Sequence, residues 1–137
     1  MAEALRVATL EDDAVADGEA MEEAIARAGS FNVVHLATMF KVDLFVRKDS
    51  PFDRKSFERS REEEIGDPPV RVRVSTPEDT VLHKLLWYEK GGRGSSRQWE
   101  DVIGVLRVQA GKLDDEYLVS WARRLGVLEL LERALGE

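Results

Sequence analysis

The sequence predicts an α+β protein, with a small mixed or antiparallel sheet of about three strands, one N-terminal helix and a C-terminal helical bundle. Three observations carry this. Apolar residues recur at helical steps in Leu10–Ala28, they alternate as in strands at Phe31–Ala37, Phe40–Val46 and Val70–Val74, and everything after Thr76 returns to helical periodicity.

The first helix rests on Ala14, Gly18, Met21, Ala24, Ile25 and Ala28 at three- and four-residue steps, with Gly29 as its stop. The two strand-like runs that follow are separated by Thr38-Met39, so a hairpin is the economical connection. A two-residue loop there would set Asp43 opposite Val34, on a face with Leu36 and Asn32. Arg47–Asp67 is dense in charge and predicts a short helix from Asp53 to about Arg61. Val70-Arg71-Val72-Arg73-Val74 alternates cleanly and predicts the third strand, with both arginines on its open face.

Thr76-Pro77-Glu78-Asp79 is a helix start: a hydroxyl cap, a proline at the first helical position and an acid three residues after the cap. That helix runs to Glu89 or Lys90 and stops at Gly91-Gly92. After a Gly/Ser loop through Ser96, helices are predicted over Gln98–Val108, Asp114–Leu125 and Val127–Leu135, with Gly111 and Gly126 between them.

With 137 residues and 43% hydrophobic content, a single domain over 1–137 is expected, α/β over 1–75 and helical over 76–137. Cysteine is absent, which excludes disulfides, thiolate metal sites and cysteine nucleophiles. His35 and His83 are too few and too far apart for a zinc site. Neither a long apolar run nor a leader pattern stands in the sequence, so a cytoplasmic protein without a membrane span is expected. A net charge of -7 disfavours wholesale attraction to nucleic acid and leaves local arginine clusters open.

Asp43 is a lone carboxylate inside Phe40-Lys41-Val42-Asp43-Leu44-Phe45-Val46. A charge on a half-buried strand must be paired, solvated or bound to a cation, so the position points either to a metal or cleft or to a solvated face shared with Lys41. Lys84 stands between apolar helix neighbours and can snorkel its ammonium outward. Arg97 and Asp101, four residues apart, are expected to meet on one helix face, an arrangement that is also ordinary surface pairing. His35 and His83 read as structural or surface residues, and Trp87, Trp99 and Trp121 as helix packing. The consecutive Glu62-Glu63-Glu64 would splay apart and make a poor metal cage.

The order of the Asp43 strand, Thr76-Pro77-Glu78-Asp79-Thr80-Val81-Leu82-His83-Lys84-Leu85 and Arg97-Gln98-Trp99-Glu100-Asp101-Val102 resembles bacterial minimal nucleotidyltransferases of the polymerase-beta-like superfamily. The likeness is to those related to abortive-infection nucleotidyltransferase toxins, and it covers roughly Phe31 to the C-terminus. It implies that Asp43 corresponds to the third metal-binding carboxylate, Lys84 to the helical lysine near the nucleotide phosphates, and Arg97 and Asp101 to the ends of an Arg-Asp-x-x-Asp motif in which Gln98 replaces the first Asp. It further implies magnesium and a nucleoside triphosphate, because two hard cations held by clustered carboxylates stabilise the entering and leaving oxygens of phosphoryl transfer. By the same likeness Asp43, Lys84 and Asp101 are the catalytic candidates, Lys84 and Arg97 the nucleotide ligands, and Asp43 the metal ligand.

The departure from the family is specific. No Asp-x-Asp strand precedes Asp43, since Asp12-Asp13 and Asp17 have the wrong spacing, and Gly29-Ser30 reads as a helix stop rather than a phosphate turn. The resemblance therefore implies a truncated nucleotidyltransferase-like core, incomplete or inactive as an isolated chain and retaining a role in binding magnesium nucleotide. The alternative is a non-catalytic regulatory or protein-binding module, such as a partner in a toxin–antitoxin-type system, using Arg71, Arg73 and an exposed sheet edge. A sheet lacking neighbours favours self-pairing, so a homodimer through that edge or the N-terminal helix is expected.

Overall fold

A computed structural model describes residues 14–15, 18–27, 30–35, 40–45 and 48–137. The protein is mixed α+β and divides into two compact units, one formed by residues 1–54 with 64–70 and the other by residues 55–63 with 71–137.

In the first unit, β1 (Ala14–Val15), β2 (Ser30–His35) and β3 (Phe40–Phe45) form an antiparallel sheet in the order β1-β2-β3, and α1 (Gly18–Arg27) lies between β1 and β2 in the chain. Two expectations are corrected here. The predicted helix began at Leu10, whereas Ala14–Val15 pairs as a strand with His35 and Val34. Tertiary pairing has overridden the alanine-rich helical pattern at that end. The hairpin closes at His35–Phe40, so Asp43 is paired with Asn32 instead of Val34. A two-residue loop needs turn chemistry such as Asn-Gly, which the sequence lacks, and the observed pairing differs from the expected register by two residues, which keeps each side chain on its face. The stop at Gly29, the Thr38-Met39 turn and Asp12, Asp13 and Asp17 lie outside the described residues.

Helix α2 (Pro51–Arg59) starts two residues earlier than predicted, because Ser50 caps it: the Ser50 hydroxyl accepts from the Asp53 amide at 3.1 Å and donates to the Asp53 carboxylate. Next come β4 (Arg61–Ile65) and β5 (Val70–Val74), which pair with each other across the 66–69 turn. The predicted third strand therefore belongs to a separate two-stranded sheet, and its neighbour is the charged Arg61-Glu62-Glu63-Glu64-Ile65 segment that no apolar alternation marks.

The second unit is built around helices. Thr76 caps α3 (Pro77–Lys90), its hydroxyl accepting from the Asp79 amide at 3.2 Å, and Gly91 ends it. Ser95 caps α4 (Ser96–Val108) by accepting from the Gln98 amide, and Asp114 caps α5 (Asp115–Leu125) by accepting from the Tyr117 amide. Gly126, at φ 76°, ends α5 in the left-handed region, and α6 (Leu128–Leu135) follows. Helix α3 packs against α4 and α5, and α6 against α4 and α5.

The core follows from the stripes. Val81, Leu82 and Leu85 of α3 meet Val102, Ile103 and Leu106 of α4, Leu118 and Ala122 of α5 and Leu130 and Leu131 of α6, all buried. Each large aliphatic side chain so buried contributes about 1.5–3 kcal/mol. Among the described residues, no helix is long and apolar enough to cross a membrane.

Candidate functional site

Lys84 projects from the buried side of α3 and is only 5% exposed, as helical spacing with Val81 and Leu85 dictates. Its ammonium emerges at the first turns of α4. There it donates to the Asp101 carboxylate at 2.9 Å and to the Gln98 side-chain oxygen at 3.4 Å. The Asp101 side chain is 39% exposed, so the pair is buried on the lysine side and open to water on the carboxylate side. The stem is held by packing, and the charge is presented near the α4 N-terminus, where helix amides favour an anion.

The expected Arg97–Asp101 contact is not formed: Arg97 is exposed, and Asp101 is paired with Lys84. A buried ammonium needs a carboxylate more than an exposed guanidinium does, because water solvates the latter at no cost. Of the four candidates, the structure brings Lys84, Asp101 and the neighbouring Gln98 together and leaves Arg97 apart from Asp101. Asp43 lies on β3 in the first unit, and its side chain is outside the described residues.

A second polar cluster in the same unit was not singled out by sequence. Asp79, at 0% exposure, accepts the Tyr117 hydroxyl at 2.5 Å and faces the Arg59 guanidinium at 3.5 Å. The latter is an ion pair without a hydrogen bond, which leaves Arg59 Nε and Asp79 Oδ2 buried and unsatisfied. Glu78 accepts from the Asp114 amide at 2.9 Å and lies 3.6 Å from Arg59. The Arg59 guanidinium also stacks over the Tyr117 ring, 3.7 Å from its centroid. Burial pushes the Tyr117 phenol well above its usual range, and the hydrogen bond to Asp79 pushes it further. The cluster ties the end of α2 to the starts of α3 and α5. The one sequence signal for it is that Asp79 stands three residues before Leu82 on the buried stripe of α3.

His83 is half-buried, its Nδ1 2.9 Å from the Asp79 carbonyl oxygen, and Trp99 packs on Tyr88 with ring centroids 5.1 Å apart. A shallow groove of about 320 Å³ lies beside α4, lined by Pro77, Thr80, Gly104, Val105 and Val108. Among the described residues, no group of three or more His, Asp or Glu side chains is arranged to hold a metal ion.

Compared with family models, curated proteins and solved structures, the chain matches none.

Proposed function

We propose that this chain is a nucleotidyltransferase-like module that binds magnesium nucleotide and does not complete transfer by itself. The observation that supports this is the Lys84–Asp101 pair: the family resemblance sets both residues beside the nucleotide, and residues 17 apart meet at 2.9 Å with Gln98 alongside.

In this reading Lys84 is the phosphate ligand. Its buried stem fixes the ammonium, and a triphosphate supplies several oxygens that can replace the single Asp101 carboxylate oxygen. Asp101 positions the ammonium in the absence of nucleotide, and Arg97, exposed in the first turn of α4, is free to reach an outer phosphate. Bound magnesium would supply charge neutralisation of the phosphates. Asp43 is the residue of this chain assigned to it, and one carboxylate does not make the two-cation site that transfer requires.

Calorimetric titration with each magnesium nucleoside triphosphate tests the proposal. Saturable binding is expected, weakened by Lys84→Ala and by Asp43→Ala. Loss of a charged hydrogen bond of about 1.5–3 kcal/mol corresponds to roughly 10- to 100-fold in affinity. No heat up to millimolar ligand would overturn it.

A second reading, a non-catalytic protein-binding module, is favoured by β5, where Val74 is 46% exposed on an alternating strand. Its edge would add to a partner's sheet. Under that reading the wild-type protein shows no nucleotide binding.

A further inference from the structure

Helix α4 carries an exposed stripe made of Arg97, Glu100, Gly104, Arg107 and Val108, spaced by three and four residues. Gly104 is the odd member. A glycine inside a helix costs about 1 kcal/mol relative to alanine, and a Cβ built there meets nothing within 4 Å, so no neighbour in this chain requires its small size. Val108 is 75% exposed, and the apolar groove lined by Val105, Pro77 and Thr80 runs beside it. Both Glu100 and Arg107 side chains are exposed, and Arg107 reaches only the main-chain oxygen of Glu137, at 3.4 Å, a contact at the surface that leaves its guanidinium donors available to a second copy.

These charges are arranged for a two-fold. At about 100° per residue, Glu100 and Arg107 lie on the same flank of Gly104, about 40° and 60° away, one turn before it and one turn after. Two antiparallel copies of α4 related by a two-fold axis at Gly104 keep matching flanks together, so Glu100 of each faces Arg107 of the other with about 1.5 Å of axial offset. A parallel pair, with its two-fold along the helix axes, would put the charged flanks of the two copies on opposite sides of the contact, where they could not pair. The missing Cβ lets the two backbones approach at the crossing.

We propose that α4 is a homodimer contact, antiparallel and crossing at Gly104, with two reciprocal Glu100–Arg107 ion pairs between copies. A single crossing of a helix about 20 Å long buries less than the roughly 800 Å² per partner of a standard interface, which places the contact in the weak, transient class. The inference is independent of nucleotide binding.

Sedimentation equilibrium between 5 and 200 µM tests it with the full chain. The expected result is a concentration-dependent dimer whose dissociation constant rises at least tenfold in Arg107→Glu and returns towards wild type in the doubly exchanged Glu100→Arg/Arg107→Glu protein, which restores the reciprocal pairs. Circular dichroism verifies that both variants fold. A monomer throughout the range, or a dimer indifferent to Arg107→Glu, overturns the proposal. So does a double variant that stays as weak as the single one.

Discussion

Tyr117 donates its hydroxyl to the fully buried carboxylate of Asp79 at 2.5 Å, joining the first turn of α5 to the first turn of α3 across 38 residues of sequence. With Arg59 over the ring and beside the carboxylate, this hydrogen bond sets the geometry on the side of the unit where three elements converge.

Tyr117→Phe keeps the ring and its stacking on Arg59 and removes the one hydrogen bond to Asp79 Oδ1. The buried carboxylate then lacks a donor, and a loss of about 1–3 kcal/mol is expected in urea unfolding. A variant as stable as wild type would show that the contact contributes nothing.

The same phenol gives a pH dependence. Its folded pKa is raised, by burial first and by Asp79 second, while the unfolded tyrosine ionises near pH 10. The folded state thus retains a proton that the unfolded chain releases, so stability present below about pH 10 is lost progressively as pH rises above it. Urea midpoints measured from pH 8 to 11.5 should fall more steeply in wild type than in Tyr117→Phe, and parallel curves would contradict the assignment.

The ion pair of Lys84 and Asp101 is asymmetric. Asp101→Ala removes a carboxylate 2.9 Å from an ammonium whose side chain is 7% exposed, whereas Lys84→Met keeps the packed stem and leaves a carboxylate that water can solvate. Asp101→Ala is therefore expected to destabilise more than Lys84→Met, by a margin on the order of 1 kcal/mol in thermal or urea unfolding. The reverse order would place the strain on the carboxylate.

Two glycines should respond in opposite directions. Gly126 holds φ 76° at the end of α5, so Gly126→Ala is expected to cost about 1–2 kcal/mol although its Cβ would meet nothing within 4 Å. Gly104 is helical with open space around it, so Gly104→Ala is expected to stabilise the monomer by about 1 kcal/mol. Chemical denaturation at low protein concentration reads both.

The helical half of the fold was legible because its signals are local. Thr76-Pro77-x-Asp79 and Gly126 each act within one turn, and the structure uses them as caps. The strands were less legible, since pairing is non-local: Arg61–Ile65 has no apolar alternation and is a strand only through β5, and the hairpin register depended on a connection without turn chemistry. Lys84 and Asp101 were each visible, yet spacing offered Arg97 as the partner because an i,i+4 relation can be read from a sequence and a contact between helices cannot. Arg59, Glu78, Asp79 and Tyr117 were hidden for the same reason, their acids looking like helix-start residues until α5 folds over them.

The most direct test of the nucleotide reading is amide chemical-shift mapping of the labelled protein titrated with magnesium nucleoside triphosphates. Saturable shifts centred on Lys84, Gln98 and Asp101, lost in Lys84→Ala, are the expected result. An unperturbed spectrum at millimolar ligand, or shifts that leave α3 and the start of α4 untouched, would contradict it.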